Sequence, residues 1–386
     1  MSFAKMSHKD RLLWLGSKVI PTPDVQKVKA FCTRLHRQSR TKNEGNGGFV
    51  LGDTGTGKST AVAAFVDDLA EEFKAKRPGS EWHRPRHPDT PIRPIYEVTE
   101  DAGWLRHVVV IVVPPRVRFN SFLRSVAMTL GVKLKSRFDF GEAFDQIKHQ
   151  IEQQKVGMMI FDEVQHFTEG TLDSYQAADV IKIIMKCRVQ VVCVGLPKML
   201  DLVQGDNAND QLLRLRQKQV EVKPLACALD DFVAGDGAIR GEETNTQNDV
   251  RFERTPFTDF CAFLDDRSDP KAIILPFDAS SEISEYHTAL RLWRAGNGHV
   301  GKMMEILFQA TDLAIEKRMS KLNLRVLAAA YRDSGIDDKD NWFMMEVPQL
   351  LEKFNQPTKR SAAKGDESSS PGRRGRSRDN VLARKH

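Results

Sequence analysis

The stretch VLGDTGTGKST, residues 50–60, concentrates glycine and small polar residues more densely than any other part of the chain. It satisfies the pattern G-x-x-x-x-G-K-[ST] with Gly52, Gly57, Lys58 and Ser59. Its setting is the one such a loop requires. GGFVLG before it has the character of a short buried strand, and after it Val62, Phe65, Val66, Leu69 and Phe73 recur on one face of a helix. Glycines let the backbone turn so that successive N–H groups face phosphate oxygens, and the helix N-terminus adds positive potential. Lys58 is expected to reach the β- and γ-phosphates and the Ser59 hydroxyl to ligate Mg²⁺, with Asp53, Thr54, Gly55, Thr56 and Thr60 completing the cradle. The loop predicts ATP or GTP with Mg²⁺ and leaves the purpose of the nucleotide open.

Downstream, GMMIFDEVQHF ends an apolar strand on Asp162-Glu163. An acidic pair at such a strand end puts Asp162 near the Mg²⁺ shell and lets Glu163 polarise the attacking water. Gln165 and His166 follow, as a link to something bound nearby or as ordinary hydrogen-bonding residues. In ATPases of this build the neighbouring strand often ends in a polar residue that senses the γ-phosphate. Here VQVVCVGLPKM ends on Gly195-Leu196, with no Asn or Thr, so the sensor is absent, displaced or replaced by backbone groups, and none is assigned. Arg214 and Arg216, in NDQLLRLRQKQVEV, are either solvated or an arginine finger offered to a neighbouring subunit's γ-phosphate. Lys302, in GNGHVGKMMEIL, is an ordinary first-turn lysine or a second basic sensor reaching the nucleotide from a lid.

Short apolar strands alternate with amphipathic helices around these motifs, which predicts a parallel sheet covered on both faces. Thr22 and Pro23 start a helix as N-cap and first residue, with Val25, Val28, Phe31 and Leu35 inward. Residues 74–94 hold five of the 17 prolines and are expected to be a loop. PIYEVTEDAGWLRHVVVIVVPP predicts two strands about a turn at Asp101-Ala102-Gly103, and FNSFLRSVAMTLG a helix with Phe122, Leu123, Val126 and Leu130 inward. The expected organisation is an N-terminal segment, 1–45, with one helix; a nucleotide-binding α/β core, 46–227; a polar insert, 228–255; an all-helical domain, 256–355; and a disordered basic tail, 356–386. No internal repeat is evident.

Composition narrows the class further. With 40% hydrophobic and 28% charged residues the chain is an ordinary globular one, and no run is long and apolar enough to span a bilayer. The five cysteines, odd in number and without CxxC spacing, point to a reducing cytoplasm. The net charge of +6 resides wholly in residues 359–386, where nine Lys/Arg face three Asp/Glu; elsewhere 49 basic residues balance 49 acidic ones. Such a tail is a solubilising appendage or an arm for nucleic acid or an acidic partner.

The phosphate loop, IFDEVQH, CVGLPKM, the QLLRLR run and the helical lid with GNGHVGK together resemble the AAA+ transposition ATPases of the TnsC/TniB type. The lead-in KVIPTPDVQKVKAFCTRL and the Asp-Glu-x-x-His form of the acidic motif strengthen the likeness, which covers about residues 15–335. It implies an α/β P-loop AAA+ ATPase with a parallel-sheet core and a small C-terminal all-helical lid. It also implies a regulator that hydrolyses ATP, assembles as a homo-oligomeric ring or filament on double-stranded DNA without reading sequence, and recruits a transposase and target-selection proteins. DNA contacts are then expected from Arg116 and Arg118 in PPRVRFN and from Lys133, Lys135 and Arg137 in GVKLKSR. A replication helicase loader shares the same parts, and a nucleotide-gated signalling ATPase that binds only proteins is the alternative from another class.

Overall fold

The computed structural model describes residues 2–101, 103–169, 174–200, 218–227 and 255–355. Arg214 and Arg216, the insert apart from Thr255, and the basic tail lie outside the described residues. In chain order the core elements are α1 (His8–Gly16), α2 (Pro23–Arg37), β1 (Gly47–Leu51), α3 (Lys58–Lys76), β2 (Glu81–His83), β3 (Ile95–Thr99), β4 (Gly103–Val112), α4 (Phe119–Thr129), α5 (Phe140–Gln153), β5 (Met158–Asp162), α6 (His166–Glu169), α7 (Ser174–Lys186), β6 (Gln190–Gly195) and β7 (Gln219–Glu221). The later helices are α8 (Pro256–Asp265), α9 (Tyr286–Gly296), α10 (Val300–Glu316), α11 (Leu324–Asp333) and α12 (Val347–Asn355).

Alternation along the strands builds the layers. Successive strand residues point to opposite faces, so Val108, Val110, Ile160, Val192 and Val194 pack against α2 and α3 through Val28, Phe31, Val62 and Val66. Their neighbours Val109, Ile111, Phe161 and Cys193 pack on the other side against Phe122, Leu123, Ile147 and Ile181. The sheet order is β2-β3-β4-β5-β6-β1-β7. From β4 to β7 every neighbouring pair is parallel, with registers such as Val108↔Met158 and Phe49↔Cys193. β2 and β3 extend the β4 edge antiparallel. The expected two-sided sheet is therefore present. Within the stretch expected to be a loop, α3 continues to Lys76 and residues 81–83 form β2, because Trp82 stacks on Phe73 of α3 at 5.9 Å and holds the segment against β3.

Thr22 caps α2, accepting a hydrogen bond from the Val25 N–H at 3.3 Å, with Pro23 in the first turn. The N-terminal segment is divided between two cores. α2 packs on the sheet, whereas Leu15 and Ile20 belong to the hydrophobic cluster of the later helices, with Phe260, Leu290 and Leu307. Asp278 accepts the Phe3 and Ala4 N–H groups, the Arg11 Nε donates to the Pro276 carbonyl at 2.9 Å, and the Trp14 indole donates to the Ile273 carbonyl at 2.9 Å. Helix α1 is thus a component of the helical lid. All five cysteines are buried, and burial pushes the Cys32 and Cys193 thiols up to about 12, so they act as packing groups. No helix among the described residues is long and apolar enough to cross a membrane.

Candidate nucleotide-binding site

The phosphate loop lies where β1, β5 and β6 end. Gly52 N–H donates to the Gly195 carbonyl at 3.3 Å, tying the loop's first residue to the end of β6. A Cβ on Gly52 would stand 2.3 Å from the Val222 carbonyl oxygen, so this glycine answers a close approach of backbones. Gly57 answers a different need: its φ of +95° lies in the left-handed region that favours glycine, although a side chain there would meet nothing within 4 Å. Thr56 Oγ1 and Lys58 Nζ both donate to the Asp53 carbonyl, at 2.9 and 2.8 Å, closing the loop on itself. Asp53, Thr54 and Thr60 are exposed, and Ser59 stands in the first turn of α3.

Asp162 closes the other side of the site at the last position of β5 and is 2% exposed. Its Oδ1 accepts the Ser59 hydroxyl at 3.1 Å and the Glu163 N–H at 3.0 Å, and its Oδ2 accepts the Thr90 hydroxyl at 2.7 Å. Burial raises the Asp162 carboxyl above its usual range; the Thr90 and Ser59 hydrogen bonds oppose that rise and the Glu163 charge adds to it. Burial also lowers the Lys58 ammonium, opposed by the charges of Glu163, Asp162 and Asp53. The site therefore gathers one cation and three carboxylates on a partly desolvated patch. Thr90 was not visible in the sequence, where it is one polar residue in a proline-rich stretch.

Glu163 follows Asp162 with φ +59°, a backbone region that a non-glycine residue occupies at a cost of order 1 kcal/mol. Gln165, 6% exposed, donates its amide to the Glu163 carboxylate, and its Oε1 accepts the Leu196 N–H at 3.3 Å. His166, which starts α6, is half-buried.

The lid reaches the same loop. The Gly301 N–H at the start of α10 donates to the Gly55 carbonyl at 2.7 Å, and a Cβ on Gly55 would lie 3.4 Å from the Lys302 Cγ. Lys302 thus stands against the phosphate loop. The segment after β7 crosses to the lid, where Leu225 donates its N–H to the Gly298 carbonyl and accepts the Trp293 indole, both at 2.8 Å.

Arg116, Arg118, Lys133 and Lys135 are all exposed, as is Arg137. The Arg124 guanidinium donates to the carbonyls of Leu134 and Lys135 at 2.9 and 3.0 Å, pinning the second basic loop to α4. Phe140 returns to the start of that helix, 5.0 Å from Phe119, so both basic segments border one aromatic cluster.

Residues 41–203 match the family model described as an AAA domain. Comparison with curated protein sequences finds no match. Among solved structures the chain is similar to the ORC2 protein of Aeropyrum pernix in its ADPNP-ADP complexes, at 11% identity and TM-score 0.51, covering 86% of this chain and 72% of that one. It is also similar to Cdc6p of Pyrobaculum aerophilum (12% identity, TM-score 0.49, 83% and 70% covered). The ORC1 protein of Aeropyrum pernix, in complex with DNA, gives 14% identity and TM-score 0.48 over 84% and 69%. At these identities the likeness concerns the fold. Loop, sheet order and family match together identify a P-loop core of the AAA+ type, followed in the chain by a helical lid.

Proposed function

We propose that this protein is an ATPase that binds ATP between its phosphate loop and lid, assembles on duplex DNA, and directs a transposase to its target. The observation that carries the nucleotide reading is the Ser59–Asp162–Thr90 arrangement beside Lys58. The Ser59 hydroxyl and the Asp162 carboxylate are hard oxygen donors of the kind Mg²⁺ takes, and a single ligating carboxylate suits an ion that draws its other ligands from phosphate and water. Bound there, Mg²⁺ would neutralise charge on the β- and γ-phosphates.

The chain's own groups account for the rest. N–H groups of Gly55 and Gly57 in the loop and of Lys58 at the start of α3 would face phosphate oxygens. Lys58 Nζ, held in the folded loop by the Asp53 carbonyl, would exchange that acceptor for the β- and γ-phosphates. Glu163 would take the proton of the attacking water. Lys302 would contact the nucleotide from the lid, so that closure of the lid depends on what the loop holds. Arg214 or Arg216 would complete a neighbour's site, which makes a head-to-tail assembly the natural oligomer.

The DNA and transposition steps rest on the family resemblance and on the exposed basic loops. Arg116, Arg118, Lys133 and Lys135 would neutralise backbone phosphates without reading bases. The test is electron microscopy of Glu163→Gln with duplex DNA and ATP, followed by capture of a transposase with an RNase-H-like core. Persistent DNA-bound rings or filaments are expected, with wild-type assemblies dispersing as ATP is consumed. Assembly that ignores DNA favours a signalling ATPase. DNA-bound assembly that captures a replicative helicase instead of a transposase makes the protein a loader. Arg116→Glu with Lys135→Glu should weaken DNA binding about tenfold or more at moderate salt, equally for unrelated sequences.

A further inference from the structure

The end of β6 has no polar side chain, and the structure shows what fills the space. A Cβ on Gly195 would stand 2.8 Å from the Gln165 Oε1 and 2.7 Å from the Val164 Cγ2, so a side chain cannot be accommodated there without displacing both. The Gln165 amide occupies that place from the neighbouring strand's loop. Its oxygen is fixed by the Leu196 N–H at 3.3 Å, which turns its nitrogen toward the Glu163 carboxylate. The loop itself is fastened to β6 by the Val164 N–H, which donates to the Val194 carbonyl at 3.0 Å. Glu163 holds a left-handed backbone, φ +59°, which orients its carboxylate only if something retains it.

We propose that Gln165 is the positioning residue for Glu163, replacing from the acidic strand's own loop the γ-phosphate sensor that β6 lacks. The inference rests on the nucleotide reading above. A continuous route supports it. Gly52, the first residue of the phosphate loop, donates to the Gly195 carbonyl at 3.3 Å; the next residue, Leu196, donates to Gln165; Gln165 donates to Glu163. A shift of the phosphate loop on the γ-phosphate therefore reaches the carboxylate in three hydrogen bonds. The amide serves this role because it accepts at one end and donates at the other.

The experiment uses the full chain carrying Gln165→Ala or Gln165→Glu, each alone and combined with Glu163→Gln. Glu is isosteric and keeps an acceptor for Leu196, but it offers Glu163 a like charge in place of a donor. Ala removes the donor without adding charge, so a loss of kcat shared by the two is the loss of the donor. Steady-state ATPase rates, affinity for a fluorescent ADP analogue and melting temperature are measured. Both variants should lower kcat about 10- to 100-fold, the range that one hydrogen bond to a charged group commands. KM and ADP affinity should stay within about twofold, because the ground-state contacts to nucleotide are elsewhere. In the Glu163→Gln background the second change should add less than about twofold, the mark of two residues acting as one. Wild-type kcat in both variants overturns the proposal, as does an equal loss in the two backgrounds or a parallel loss of ADP affinity and melting temperature. If Glu163→Gln itself turns over ATP at the wild-type rate, Glu163 is not the base and this inference falls while the nucleotide reading stands. If the wild-type chain neither binds the ADP analogue nor hydrolyses ATP, the nucleotide reading falls and this inference with it.

Discussion

Helix α3 has a buried carboxylate at each end, and the two are held in opposite ways. At its C-terminus Glu97, fully buried, accepts the Arg77 guanidinium and the His107 imidazole, each at 2.6 Å. At its N-terminus Asp162 is bonded by two hydroxyls and one backbone N–H. Burial alone would raise the Glu97 carboxyl, but the polar contacts at its head, the His107 hydrogen bond and the Arg77 charge among them, carry it below its usual value. For Asp162 burial prevails and the carboxyl is raised. The surroundings match this division. Arg77 lies over the rings of Phe73 and Trp82, and His107 stands 4.8 Å from Phe73, so the far end is a packed ionic and aromatic cluster. Equal burial therefore marks two different uses. A carboxylate whose cation, Arg77, is part of the fold is a fastening, and one bonded only by neutral donors at a strand end is suited to receive a cation with the substrate.

The strongest challenge to this contrast is Asp162→Asn. Mg²⁺-dependent turnover should fall about a thousandfold, while the melting temperature without nucleotide rises, because the substitution removes a charge the fold holds at a cost. A fall in both would make Asp162 a fastening like Glu97. Glu97→Gln should do the reverse. It costs about 1–3 kcal/mol of stability by removing a charged acceptor from its hydrogen bonds, visible as an earlier denaturant midpoint, with kcat per folded molecule unchanged. The smallest effect is in the pH dependence. The Glu97 pKa in the folded chain lies below the ordinary 4.5, so its contribution is whole above that pH and is lost as pH falls through the folded value. Melting curves of the Glu97→Gln variant should accordingly decline less steeply than wild type below pH 4.5, and identical slopes would place the acid sensitivity elsewhere.

The features legible in the sequence are those whose cause is local. The glycine loop, the apolar strands ending at Leu51, Asp162 and Gly195, and the Thr22–Pro23 helix start each follow from neighbours along the chain, and each is present. What escaped depends on partners far away in sequence. Strand β2 is three residues long and exists because β3 and Phe73 meet it. Thr90 gains its meaning only from Asp162, 72 residues on. The missing polar residue at Gly195 was visible as an absence, but its replacement by Gln165 appears only when β5 and β6 lie side by side. Helix α1 is short, and its apolar residues make sense against the lid rather than against the segment it was grouped with. The arginines at 214 and 216 lie outside the described residues.

The attachment of α1 to the lid has a consequence for how the chain reaches this state. Leu15 and Ile20 are buried against helices whose residues follow them by some 250 positions, and Arg11 finds its acceptor 265 residues away. Contacts of such separation form late, because a long loop must close before they repay the entropy of ordering it. On the ribosome the first twenty residues therefore emerge with their apolar side exposed. They stay unpartnered while the sheet and α2 assemble, until α9 and α10 have been made. The lid is then complete only when α1 meets α9 and α10, which follow the last strand of the sheet in the chain.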